Sequence, residues 1–325
     1  VSETKYDFLT LGETLIRLSP PGMLRFDQTK LFEVGIGGSE LNVACLLARL
    51  GRRAAWVSRL PEGGPLGRIV DGEGRRHGVD MSLCKWVEAR QGLMFFEAGP
   101  APRIARVIYD RKNSAAAGMT FADADWPSLV AASARVHLSG ITPALSESCK
   151  ALVLDVAALA GRAGKPLSYD LNYRATLTTP KEAEAVLAAV APHLELLMLA
   201  ERDAQHVLGF VEAGERLAEA IAARYGAPLV ALTRSPEAET GDIFFARGVV
   251  RYAPRYSVEI VDRIGAGDSF LGGLIHGLLD GDPDRAIRLA AYAGAMALAT
   301  PGDINYFGAE DLAAFDNEMT ARLVR

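Results

Sequence analysis

Cysteine is scarce in this sequence: of 325 residues only Cys45, Cys84 and Cys149 carry a thiol, far apart and without a CxxC pair. That excludes a disulfide framework and a zinc ribbon, and it fits inert thiols in a reducing compartment. The five histidines show no HxxxH or Cys/His spacing, which argues against a zinc centre. No apolar run approaches the roughly 18 residues of a membrane span. Val1 to Leu18 carries early acids and no long apolar segment, so the expectation is a cytoplasmic chain, neither exported nor membrane-bound. Positive charge is not in excess either. With 40 acids against 35 bases the formal net charge is −5, which argues against nucleic acid or an anionic membrane as a partner. Nor does a GxGxxG follow the first apolar run. Leu9-Thr10-Leu11-Gly12-Glu13 has a single glycine, which disfavours a nicotinamide-dependent oxidoreductase.

What the sequence does have is a globular composition, 50% hydrophobic and 23% charged, in a length that holds one large domain or a main domain carrying a smaller one. Val136 to Ser139, Leu167 to Asp170, Leu194 to Leu199 and Leu229 to Thr233 read as strands, with helical patterns between them. Strand, helix, strand at this spacing implies right-handed crossovers and a parallel sheet covered on both faces. Residues 5–34 and 88–112 alternate instead, as in Leu15-Ile16-Arg17-Leu18 and Arg106-Val107-Ile108-Tyr109, and predict a small antiparallel sheet. Between them Ser39 to Leu50 predicts a helix, with Ser39 as N-cap and Gly51 as its stop. The expected architecture is an α/β body with an inserted β flap.

Three segments carry candidate chemistry. In Asp262-Arg263-Ile264-Gly265-Ala266-Gly267-Asp268 three small residues precede an acid where an apolar helical pattern begins. Their N–H groups can converge on an anion at the helix N-terminus, with Asp268 placed to take a proton from an attacking hydroxyl; the plainer reading is a turn with an N-cap. In Gly37-Gly38-Ser39-Glu40-Leu41-Asn42 the exposed backbone at Gly37 and Gly38 and the mixed donor and acceptor of Asn42 suit a polyhydroxy ligand, or simply a loop. In Asp170-Leu171-Asn172-Tyr173-Arg174 the polar side chains share one side if the strand geometry continues, and Arg174 can grip a phosphate or carboxylate; a surface salt-bridge cluster is the competing reading. On the proposed flap Arg106 and Arg111 are better candidates for an anionic substrate than Arg103 and Lys112, which read as solvated.

With these segments in view, the chain resembles the ribokinase-like (PfkB) carbohydrate kinases over nearly its whole length. The stretch from Gly37-Gly38 to Gly51 is similar to that family's first signature and Asp262 to Ile275 to its second. The resemblance implies one ribokinase-like kinase domain over residues 1–325. Its mostly parallel central sheet would be flanked by helices, with a β lid formed by segments near 13–36 and 88–112. It further implies that Asp268 is the catalytic base and that Gly265, Ala266 and Gly267 form the anion hole. Finer details, Asp170-Leu171-Asn172-Tyr173-Arg174 and Thr300-Pro301-Gly302-Asp303 among them, look most like 2-keto-3-deoxygluconate kinases. That likeness implies substrate contacts from Gly38, Tyr109, Arg111, Arg174 and Asp303, which Asn42 and Arg106 join as candidates from the residue reading. It implies nucleotide contacts from Asn172, Arg174, Thr233, Arg234, Gly265 and Gly267, with ATP and Mg2+ as cofactors.

Four departures from the family pattern stand out. Ala200-Glu201-Arg202-Asp203 occupies the place of an Asn-x-x-Glu motif linked to magnesium, so no metal ligand is assigned. The nucleotide loop reads Arg234-Ser235-Pro236-Glu237-Ala238-Glu239-Thr240-Gly241 rather than Gly-rich, Pro61 replaces a usual Gly, and Met94 stands where an aromatic hydroxyl is common. The expected activity is transfer of the ATP γ-phosphoryl group to 2-keto-3-deoxygluconate or a close relative. The alternatives are a kinase for a neutral sugar of the fructokinase or ribokinase type, a nucleoside kinase, and a sugar-binding protein without turnover. A homo-oligomer is expected, because the exposed edges of a small β flap are natural places for subunits to meet.

Overall fold

Apolar residues run without interruption through the central strands because both faces of their sheet are covered. The computed structural model describes residues 4–99, 102–235, 238 and 240–323. The first half contains β1 (Phe8–Leu11), β2 (Leu15–Ser19), β3 (Glu33–Gly37), α1 (Ser39–Arg49), β4 (Ala54–Val57), β5 (Arg59–Pro61), α2 (Pro65–Arg76), β6 (Lys85–Val87), β7 (Leu93–Glu97), β8 (Arg106–Asp110), α3 (Trp126–Ala131), β9 (Val136–Ser139) and α4 (Glu147–Arg162). The second half adds β10 (Leu167–Asp170), α5 (Pro180–Val190), β11 (Leu196–Ala200), α6 (Glu201–His206), α7 (Gly214–Tyr225), β12 (Leu229–Thr233), β13 (Ile243–Ala246), β14 (Val249–Tyr252), α8 (Ala266–Leu279), α9 (Pro283–Leu298) and α10 (Ala309–Leu323).

The main sheet has eight strands in the order β14-β13-β12-β11-β10-β9-β1-β4. The run from β12 to β4 is parallel, and β13 and β14 return antiparallel at one edge. Alternate residues of each strand feed opposite cores: Leu9, Leu197 and Val230 pack with α4, α5 and α7, while Phe8, Leu196 and Ala231 pack with α1, α8 and α9. This is the ribokinase-like α/β architecture with a separate small sheet, β3-β2-β7-β8.

Three expectations need correction. The small sheet is mixed rather than antiparallel, since β2 and β7 run parallel; the chain passes through α1, α2 and three strands between β3 and β7, a connection long enough to permit it. The strand expected at Leu194 begins at Leu196, because Leu194 still donates to Ala191 in the turn around Pro192. Gly38, not Ser39, caps α1, and the Ser39 side chain turns into the cleft instead. All three cysteines are free and buried, and burial pushes the Cys84 thiol up to about 12, so the expectation of inert thiols holds.

Helix α8 lies against α9 at glycine-limited distance: a Cβ on Gly277 would stand 2.4 Å from the Ala286 Cα. Gly277→Ala should therefore lower stability by about 1–3 kcal/mol through overpacking. Gly72→Ala, at an open helical site of α2, should raise it by about 0.5–1 kcal/mol. Denaturant midpoints read both signs, and equal shifts in the two variants would contradict the close-packing account.

Candidate active site

The site is assembled at the carboxyl ends of the parallel strands, the usual place for ligands in an open α/β sheet. Asp170 closes β10, Met198 to Ala200 close β11 and Thr233 closes β12. Opposite them α8 begins at a turn that only glycine tolerates. Gly265 has φ +82, and a Cβ there would stand 2.1 Å from the Asp303 carbonyl oxygen. The left-handed turn presents the first N–H groups of α8, with Asp268 in its first turn.

Both oxygens of Asp268 are held. Ser39 Oγ donates to Oδ1 at 2.6 Å and Asn42 Nδ2 donates to Oδ2 at 2.7 Å. Burial pushes the Asp268 carboxyl up from its ordinary range, and these two hydrogen bonds and Arg174 oppose the rise. Asn172 reaches the same group indirectly, its Nδ2 donating to Ser39 Oγ at 2.8 Å. Strand geometry does not continue past Asp170 as expected: Asn172 has φ +37, and Asp170 Oδ1 accepts its N–H at 3.0 Å. The turn nevertheless brings Asp170, Asn172 and Arg174 to one cavity.

That cavity, about 450 Å³, is polar and is closed on one side by Met94, Val107 and Tyr109 of the small sheet and by Arg111 just after β8. A second cavity of about 370 Å³ lies beyond the α8 turn, lined by Phe270, Ala291, Ala295 and Leu298 together with Arg234, Asp242 and Gly241. Thr233 and Gly267 line both, so the N-terminus of α8 sits at their junction. Arg17 of β2 fastens the site from below. Its guanidinium donates to Asp262 at 2.6 Å and to Asp303, and all three are buried. Burial pushes the Asp303 carboxyl up to about 7; Arg17 opposes this, and Asp262 and Asp268 add to it.

A comparison with protein families matches residues 7–308 to the pfkB family of carbohydrate kinases. The chain belongs to the pfkB family. This carbohydrate kinase is 37% identical over 301 residues to a 2-dehydro-3-deoxygalactonokinase of Haloferax volcanii, covering 92% of each chain. To a 2-dehydro-3-deoxygluconokinase of Bacillus subtilis it is 32% identical, covering 93% of this chain and 92% of the other. Among solved structures, the 2-dehydro-3-deoxygluconokinase of Thermotoga maritima superposes with a TM-score of 0.89 at 34% identity, over 95% of this chain and 99% of that one.

In this pfkB kinase the first cavity gathers Gly38, Asn42, Tyr109, Arg111, Asn172, Arg174, Thr233, Gly265, Gly267, Asp268 and Asp303 from the sequence reading. Ala266 and Arg234 line the second. Arg106 lines neither cavity and is exposed at the start of β8. Strand alternation explains the miss: Val107, Tyr109 and Arg111 share the cavity side, and Arg106 has the opposite parity. Arg111 itself is engaged, donating through Nε to Glu13 at 2.7 Å. Arg174 makes one hydrogen bond, to the Tyr173 carbonyl at 3.1 Å, and no ion pair with a described carboxylate. Pro236, Glu237 and Glu239 of the expected nucleotide loop lie outside the described residues.

Sequence reasoning did not find Glu13, Arg17 or the contact of Ser39 with Asp268. An arginine inside the apolar strand β2 was the one available signal. Among the described residues no group of three or more His, Cys, Asp or Glu side chains is placed to hold a metal ion. A magnesium ion carried by nucleotide phosphates needs only one or two carboxylates besides water. The carboxylates of Asp170 and Asp203, both on the cavity wall, fit that requirement.

Burial, with Asp268 close by, raises the Asp170 carboxyl to about 7 while Arg174 opposes the rise. Its folded value lies above the unfolded value of about 3.9, so the folded chain holds a proton that the unfolded chain has lost between about pH 4 and 7. This stabilisation is complete below the unfolded value and disappears as pH rises through 7. Asp170→Asn should then melt above the wild type by a margin that widens from pH 5 to pH 8. A margin that does not widen would contradict the assignment.

Proposed function

We propose that this carbohydrate kinase transfers the γ-phosphoryl group of ATP to a hydroxyl of a 2-keto-3-deoxy sugar acid, 2-keto-3-deoxygluconate or its galactonate epimer. The observation that carries this reading is the Asp268 carboxylate, held at both oxygens in the first turn of α8 where the polar cavity meets the apolar one. The sugar acid occupies the polar cavity and the adenosine the apolar one. Asp268 accepts the proton of the attacking hydroxyl as its oxygen bonds to the γ-phosphorus and the bond to the ADP oxygen breaks. The Gly265, Ala266 and Gly267 turn stabilises charge on the transferred phosphoryl oxygens. Asp170 and Asp203 would hold, through water, a nucleotide-borne magnesium, which when bound neutralises phosphate charge. The small sheet acts as a lid, with Tyr109 and Val107 excluding water from the sugar.

Arg174 supports an acid as substrate, because a guanidinium in the cavity with no ion-pair partner among the described residues suits a ligand that brings a carboxylate. The names of the Haloferax volcanii, Bacillus subtilis and Thermotoga maritima relatives point the same way. A neutral sugar is the second reading. It draws on Glu13, which takes up the charge of Arg111, and on a more distant rice relative, 26% identical, named a fructokinase.

Asp268→Asn tests the chemistry. Turnover should fall by about 10²–10⁴-fold, the usual contribution of a positioned base, while ATP still binds in a calorimetric titration. Retention of more than about a tenth of wild-type turnover would remove Asp268 from the role of base.

A further inference from the structure

Asp268 is braced by more than the helix that carries it. A serine hydroxyl has one proton to give and lone pairs to receive. Asn172 Nδ2 donates to Ser39 Oγ at 2.8 Å, so the Ser39 proton is directed away from Asn172 and onto its other neighbour, Asp268 Oδ1, at 2.6 Å. The sense of the chain is fixed in turn by Asp170, whose carboxylate accepts the N–H of Asn172 and holds that residue in its left-handed turn. Ser39 stands at the first position of α1, one residue after its cap Gly38, and α1 has no side-chain cap. Its hydroxyl is committed to the carboxylate instead.

We propose that Ser39 is a positioning residue that orients the Asp268 carboxylate and sets its proton affinity, with the sense of its hydroxyl imposed by Asn172. The proposal rests on the reading of Asp268 as base. The charged groups around this carboxylate are Arg174 beyond β10, Asp170 at the end of β10, Glu40 on α1 and Asp303 in the loop after α9. Arg174 favours the ionised form of Asp268, and the Asp268 charge in turn raises the proton affinity of the three acids. Ser39 and Asn42 are the two neutral donors that counter burial at this carboxylate. Loss of the Ser39 donor leaves burial less opposed, so Asp268 holds its proton to higher pH.

The test is the pH dependence of kcat/KM for wild type, Ser39→Ala and Ser39→Thr, with 2-keto-3-deoxygluconate and ATP. Ser39→Ala should move the acid limb up by about one pH unit, a tenfold change in proton affinity, with the KM for ATP unchanged. Ser39→Thr, which keeps a hydroxyl, should return the limb toward wild type. The substrates' own titrations are common to all three proteins and cancel in the comparison. An Asn172→Leu variant should shift the limb in the same direction, and adding Ser39→Ala to it should shift it little further. An unmoved limb in Ser39→Ala, with Asp268→Asn inactive, overturns the Ser39 proposal and leaves the base intact. If Asp268→Asn remains active the base reading fails. The Asp268 carboxyl ¹³C titration in the ligand-free protein, assigned by its absence from Asp268→Asn, then decides: an upward shift in Ser39→Ala supports the proposal and no shift overturns it.

Discussion

One buried guanidinium ties together parts of the chain that lie far apart in sequence. Arg17 donates to Asp262, 245 residues away, and to Asp303, 286 residues away. Asp262 in turn accepts the N–H groups of Ile264 and Gly302 at 3.1 and 3.2 Å, so one carboxylate anchors both the turn before α8 and the loop that carries Asp303. Arg17 also stacks over Phe96 of β7, with its guanidinium carbon 4.2 Å from the ring centroid. The small sheet and the N-terminus of α8 therefore share a fixed point. Loss of one partner in such a cluster typically costs about 3–5 kcal/mol, because the remaining charge is left buried and unpaired.

That anchor makes sense of the charge distribution above it. Asp170, Asp268 and Asp303 all reach the polar cavity, and burial disfavours the ionised form of each. Arg174 is the cation shared by the surroundings of Asp170 and Asp268, and its fork is turned to no described carboxylate. Acids thus outnumber cations in this part of the cavity wall. The second cavity contrasts with it: Phe270, Leu298 and the alanines of α9 form an apolar slot, with Arg234 at its polar end. Gly267 and Thr233 are the seam between the two, at the N-terminus of α8 and the end of β12.

The central strands and the α8 turn were legible in the sequence because their information is local. Four apolar runs of the body and the string Gly265-Ala266-Gly267-Asp268 each carry their own geometry, whether period, glycine or cap. The same local reasoning failed where a second element decides the outcome. Arg106 was grouped with Arg111 although strand parity separates them, and the mixed pairing of β2 with β7 depends on a connection that no short window contains. Ser39 was assigned to its own helix, but its partner is 229 residues away. The positive φ of Asn172 was hidden because Asp-Leu-Asn also suits a continuing strand. Glu13 and the partners of Arg17 were invisible for the same reason: an ion pair is a property of two sites, and one sequence shows only one at a time.

The measurement that bears most directly on this account is ADP release with ATP and magnesium over 2-keto-3-deoxygluconate, its galactonate epimer, gluconate, fructose, ribose and adenosine. A charge-assisted contact from Arg174 is worth about 1.5–3 kcal/mol. The account therefore predicts that kcat/KM for a 2-keto-3-deoxy acid exceeds that for every neutral member by at least about tenfold, and that Arg174→Ala narrows the gap. A neutral sugar or nucleoside turned over as well as the acids, or no turnover on any member, would contradict it.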